Sequence, residues 1–271
     1  GHILHGLQFT QSLERRLPTA YYGWNSGVGR VMQFCQVKKS AQLRVGTIGL
    51  GTGTVAAYAR PNDRFLFYEI NPEVVTVSRQ YFSFLSDAEK RMAKNGRRPE
   101  VVMGDARLSL ERDLASPGGP AQFDVIVLDA FTGDAIPTHF LTREAADIYR
   151  RHLGPEGTIA IHITNRYLNL TPVAQGLADY LKLGFVEVQT PRDPERGEEA
   201  ADWAILTSSS ELRSTLEQAP ANGIPSRAVP SDLKNTTAAD YLGPQVPLKD
   251  KVNRPPLLWT DDFSDLFSVL R

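Results

Sequence analysis

Three glycines, Gly49, Gly51 and Gly53, close the apolar run "TIGL" and lead into "TVAAY". Acidic residues then fall at the ends of three later apolar runs: Glu69 in "RFLFYEI", Asp105 in "EVVMGD" and Asp129 in "FDVIVLDA". Glycines at this spacing permit a tight turn and a close approach of backbone to ligand. Glu69, 16 residues after Gly53, lies where a carboxylate accepts both hydroxyls of a ribose. Asp105 in "GDA" is placed to receive an adenine amino group. Together these residues describe an adenosine site. The glycine pattern is G-x-G-x-G, with Thr54 where a dinucleotide fingerprint wants its third glycine. The added acids at the third and fourth runs point away from NAD and towards S-adenosylmethionine or a relative.

Such residues need a sheet to carry them. Compact apolar runs at 44–50, 64–70, 100–105, 123–130 and 158–164 read as strands buried on both faces. Runs at 185–190 and 202–209 add two more, the last antiparallel. Helical patterns lie between them, over 71–85 with Asn71 as cap and Pro72 at the first position, and over 138–153 with Gly154-Pro155 as a stop. This rhythm predicts an α/β fold, a doubly wound Rossmann-like sheet occupying residues 44–210. Ligands in such sheets bind beyond the C-terminal ends of the strands. Residues 1–43 form a smaller N-terminal segment, β-rich at first. It ends in an amphipathic helix carrying Val28, Val31, Met32 and Cys35. Residues 211–271 are expected to form a Pro-rich wrap and a terminal helix, capped by Thr260 or Asp261 and burying Phe263, Leu266, Phe267 and Leu270.

The bulk numbers exclude several classes. A net charge of −1 over 271 residues provides no global field for nucleic acid, and none is expected as a partner. The basic stretch "KRMAKNGRRP" reads as a solvated helix end. Cys35 is the only cysteine, which rules out an intrachain disulfide. No HExxH pattern occurs, and no metal is expected. No apolar run approaches the roughly 18 to 20 residues that span a bilayer. A cytoplasmic setting is expected, either for a free protein or for the soluble part of a membrane-anchored one. The opening "GHIL" lacks Met and reads as a cloning remnant before an excised segment, so a longer natural N-terminus is expected.

The blocks "GLGTGT", "FYEINPEVV", "GDARLSL" and "FDVIVLDAFTGDAIPTHFLTREAADIYRRHLGPEGTIAIH" carry a family likeness. Over residues 5 to 209 the chain resembles spermidine synthases, the polyamine aminopropyltransferases. The resemblance implies the sheet of class I S-adenosylmethionine methyltransferases. It also implies transfer of an aminopropyl group from decarboxylated S-adenosylmethionine to a polyamine acceptor, leaving methylthioadenosine. By this resemblance Asp129 is catalytic, and the donor is held by Gly49, Gly51, Thr52, Gly53, Glu69, Ile70, Asp105 and Ala106. "HGLQF" and "PTAYYG" resemble the family's N-terminal substrate segment and single out Gln8 and Tyr22. "TDDF" resembles the branch attached to a transporter-like membrane region. A homodimer is consistent with the family.

Several positions depart from the family pattern. Thr52 stands where an Asp holds the donor's terminal amine, and a neutral residue there tolerates the carboxylate of intact S-adenosylmethionine better. Thr132 stands where a second acid follows the first, and Tyr22-Gly23-Trp24 replaces Tyr-His-Glu. Asp134, Asp261 and Asp262 are the acids available to replace those lost. Two alternatives therefore stay open. One is a methyltransferase or aminocarboxypropyl transferase using S-adenosylmethionine. The other is a non-catalytic sensor of an adenosyl ligand attached to a membrane protein.

Overall fold

Both faces of the central strands are covered, which is why the strand sequences are mostly apolar. In the computed structural model, which describes residues 6–11, 14–131, 136–165, 167–217 and 254–270, Val125 and Val127 enter one core. Ile126 and Leu128 enter the other, on the opposite side of the sheet. The strands are β1 (Arg44–Ile48), β2 (Arg64–Glu69), β3 (Glu100–Met103), β4 (Phe123–Leu128), β5 (Leu153–His162), β6 (Gly184–Thr190) and β7 (Ala201–Thr207). They form one sheet in the order β3-β2-β1-β4-β5-β7-β6. The first five are parallel, and β7 runs antiparallel to both β5 and β6. The fold is therefore α/β and Rossmann-like. Strand order reverses between β1 and β4, so the crevice beyond their C-terminal ends is where such a sheet receives a ligand.

Helices α1 (Gly27–Lys38), α2 (Pro72–Tyr81), α3 (Phe84–Met92), α4 (Ala106–Ala115), α5 (Arg143–His152), α6 (Thr171–Leu181) and α7 (Ser210–Glu217) cover the sheet. Their starts obey capping chemistry. Ser26, Asn71, Asp105 and Thr142 each accept a backbone amide from the first turn of the helix they open. Helix α1 buries ten of its twelve residues, more than an amphipathic surface helix would, because it lies between the sheet and the segment preceding it. Among the described residues no helix is long and apolar enough to cross a membrane.

Four sequence expectations change. The pattern over 71–85 is two helices, parted where Phe82 turns to extended backbone. The second helix begins only at Arg143, after a 3-10 turn at Thr138–Phe140, and Gly154-Pro155 lies inside β5 rather than ending a helix. The N-terminal segment holds no strand among its described residues. Ala20 adopts φ 54°, which breaks extended structure and leaves only a bridge to Glu198. The terminal α-helix is absent as well among the described residues, and only a 3-10 turn at Phe267–Val269 forms there. Thr260 and Phe263 close a tight turn on each other instead, leaving Phe263 65% and Leu266 45% exposed. Trp259 and Val269 supply the burial there, and Leu270 is also exposed. Most of the Pro-rich stretch, residues 218–253, lies outside the described residues.

Candidate active site

The turn after β1 is built against β4. Gly49 has φ +94°, and a Cβ there would run into the carbonyl oxygen of Asp129, so only glycine fits. Gly53, at φ +81°, faces Ser78 and Leu85. The Cβ direction of Gly51 opens towards the Tyr22 hydroxyl, 3.9 Å away. After the glycines the chain forms a single 3-10 stretch, Thr54–Tyr58, and not a long helix. A pyrophosphate is held by the N-terminus of a full helix, so this turn suits an adenosyl sulfonium compound better than a dinucleotide. Thr52 is buried, with its hydroxyl 2.8 Å from that of Thr54, and the chain at Gly6 packs against its side chain.

On the β2–β3 side the acids already have partners. Glu69 accepts the amide of Leu50 at 3.0 Å on one oxygen and that of Asn71 at 2.8 Å on the other. It thereby ties the glycine turn to the start of α2, and each oxygen retains a lone pair for a ribose hydroxyl. Ile70 beside it is exposed, offering a flat apolar flank. Asp105 caps α4 through the amide of Leu108, and its second oxygen lies 3.1 Å from His139 Nε2. Ala106 is buried as the first residue of that helix.

The reaction side is the larger finding. Asp129, one residue past β4, accepts a hydrogen bond from the Tyr22 hydroxyl on Oδ2 and lies 2.7 Å from His162 Nδ1 on Oδ1. Tyr22 is held by its neighbours' carbonyls. Trp203 Nε1 donates to Tyr21 O at 3.0 Å, the Tyr58 hydroxyl to Tyr22 O at 2.5 Å, and Gln33 Nε2 to Trp24 O at 2.7 Å. Burial, followed by the neighbouring Asp129 charge, raises the Tyr22 phenol well above its ordinary pKa, so it stays a donor. His162 ends β5, stacked on Trp203 at 4.6 Å between ring centres, with Tyr21 at 5.0 Å and the edge of Phe131 at 5.1 Å. Sequence reasoning placed chemistry at the ends of the first four strands and stopped there. The same rule applied to the fifth finds His162.

The remaining substrate candidates divide. Gln8 does not face the site: its amide donates to Arg15 O and Ser83 Oγ and accepts the Ser83 amide, a staple between the N-terminal segment and α3. Asp261 is a clasp. Arg107 binds it through two nitrogens, Thr142 Oγ1 donates to it at 2.8 Å, and the Arg107 hydrogen bonds hold its carboxyl down at about 2. Asp262 is exposed beside it. Asp134 and Thr132 lie outside the described residues.

No protein-family model matches the chain. A curated polyamine aminopropyltransferase of Vibrio vulnificus is 29% identical to it over 181 residues, which are 66% of this chain and 55% of the relative. Over that stretch the chain is similar to a polyamine aminopropyltransferase. It spans about half the length of that curated relative. Among solved structures it is similar to a probable spermidine synthase from Corynebacterium glutamicum, at 22% identity and TM-score 0.47, covering 69% of this chain and 68% of that one. It is also similar to spermidine synthase from Thermotoga maritima, at 13% identity and TM-score 0.46, covering 68% and 59%. At the centre of the chain, Tyr22, Asp129 and His162 form one hydrogen-bonded set beside the glycine turn.

Proposed function

We propose that the protein is a transferase that moves an aminopropyl group from decarboxylated S-adenosylmethionine to an amine acceptor, releasing methylthioadenosine. One observation carries this reading: Asp129, held on both oxygens, backs directly onto the glycine turn that would seat the donor. The curated relative is named for the same transfer. Gly49, Gly51, Thr52, Gly53, Glu69, Ile70, Asp105 and Ala106 form the donor side, and His139 must yield where the adenine amino group meets Asp105.

An alkylamine of pKa near 10.4 is uncharged in only roughly one molecule per thousand at neutral pH. Asp129 orients the acceptor and receives the proton it loses. The nitrogen lone pair attacks the methylene next to the sulfonium, the N–C bond forms, and the C–S electron pair leaves on sulfur as the neutral thioether. Tyr22 and His162 keep the carboxylate in one orientation, so the remaining catalysis is alignment of nitrogen, carbon and sulfur. The acceptor is an amine of the polyamine class, and no metal enters the scheme.

A second reading has its own support. Thr52 is neutral and its hydroxyl is engaged by Thr54, so the carboxylate of intact S-adenosylmethionine would meet no opposing charge from that residue. Incubating the protein with each donor, with and without polyamines, and identifying the nucleoside product by mass spectrometry decides between them. Methylthioadenosine from the decarboxylated donor is expected. S-adenosylhomocysteine would mean methyl transfer, and binding without turnover would favour a sensor.

A further inference from the structure

His162 is held more tightly than a packing role requires. Nδ1 lies 2.7 Å from Asp129 Oδ1, and Nε2 lies 2.9 Å from Thr164 Oγ1. That hydroxyl oxygen accepts the Asp202 amide at 2.7 Å and faces the Asp202 carbonyl oxygen at 3.4 Å. An ionised Asp129 can only accept, so the ring proton belongs on Nδ1. Only Nε2 is then left to titrate. With the ring neutral, the Thr164 hydroxyl donates to Nε2. With the ring protonated, the hydroxyl rotates towards the Asp202 carbonyl and accepts from Nε2. Both states are hydrogen-bonded at both nitrogens without movement of the ring.

The two states differ in charge. With neutral His162 the Asp129–His162 pair carries −1 and faces a cationic donor and a cationic acceptor. With His162 protonated the pair is neutral and presents no net negative charge to either cation. Other titratable groups also face the ring. Tyr21 and Tyr22, from the N-terminal segment, both have raised pKa values, chiefly through burial. Glu199, whose charge reaches Tyr21, is paired with Arg192 at 3.1 Å. From β7, Asp202 meets Thr164 through its main chain, and Trp203 contributes only its ring face.

We infer that His162 is a positioning residue for Asp129, its Nδ1–H fixing the carboxylate and its single ionisation at Nε2 setting the low-pH limit of turnover. The inference rests on the reading of Asp129 as the proton acceptor. His162 itself exchanges no proton with substrate.

The test is the pH profile of kcat/KM in the full chain, for wild type, His162→Asn and His162→Ala. Asn places an amide donor near the Nδ1 position and cannot ionise. His162→Asn is expected to keep activity within about tenfold at pH 8.5 and to lose the low-pH limb. His162→Ala should lower kcat by about ten- to a hundredfold, the scale of a lost hydrogen bond to a charged group. An unchanged limb in His162→Asn, or wild-type turnover in His162→Ala, overturns the inference. The histidine ¹⁵N shifts of the wild-type protein give a second measurement independent of turnover and of variant folding. The neutral ring should be protonated at Nδ1; a ring protonated at Nε2 overturns the inference. Asp129→Asn with undiminished turnover would instead remove the functional reading and leave the ¹⁵N result to stand alone.

Discussion

On the donor side, Glu69 and Asp105 each accept a backbone amide two or three residues further on. On the reaction side, Asp129 bonds side chains 107 and 33 residues away. The first arrangement begins with these short-range bonds at strand ends and helix starts, to which Leu50 and His139 add one longer-range contact each. The second exists only when the N-terminal segment, β4 and β5 are all in place. Under the proposed function, recognition of the nucleoside rests mainly on strand-end turns, whereas the carboxylate proposed to react is set by contacts between distant parts of the chain. The two sides should fail differently when damaged.

The sharpest contrast comes from Asp129→Asn. Turnover should fall by about 10²- to 10⁴-fold, the scale of a lost general base, while donor affinity measured by calorimetry changes little. A comparable loss of donor affinity would mean that the two sides are one unit. Tyr22→Phe comes next: losing a hydroxyl donor to an ionised carboxylate should lower kcat by about ten- to a hundredfold with the far-ultraviolet spectrum unchanged. The donor side is probed by Glu69→Gln, which keeps the side-chain shape and loses one acceptor. Donor KM should rise about tenfold with kcat nearly unchanged; a kcat effect matching that of Tyr22→Phe would erase the distinction.

The smallest expected effect concerns the cost of assembling the reaction side. Glu198, which bridges to Ala20 in the N-terminal segment, is 3% exposed, and burial pushes its carboxyl up to about 7. The unfolded chain releases that proton near 4.3, so the ionised group weakens the folded state progressively as pH rises from about 4 to about 7. Glu198→Gln should therefore raise Tm by a few degrees at pH 8 relative to wild type and leave it nearly unchanged at pH 4. An equal shift at both values would assign the effect to packing rather than to charge.

Much of this was legible in the chain. The seven apolar runs were strands because a buried strand needs apolar residues on both faces, and 125–128 shows this in four successive residues. Asn71 and Asp105 cap helices within a few residues of themselves, so local spacing revealed them. The final segment misled for a physical reason. Phe263, Leu266 and Leu270 have helical spacing, but Asp261 is drawn to Arg107, 154 residues away, instead of capping a helix. Gln8 does belong to the N-terminal segment, yet its amide is consumed by Ser83.

Tyr22 and Asp129 were recognisable singly, one in a tyrosine pair and the other at a strand end. Their contact, and the place of His162 on the second oxygen, required strand order: β5 must lie beside β4 before His162 can meet Asp129. Local sequence decides turns and caps because their partners lie within hydrogen-bonding reach along the backbone. The Tyr22–Asp129–His162 set comes from distant parts of the chain, and only packing of the sheet against α1 and the N-terminal segment brings it to one point.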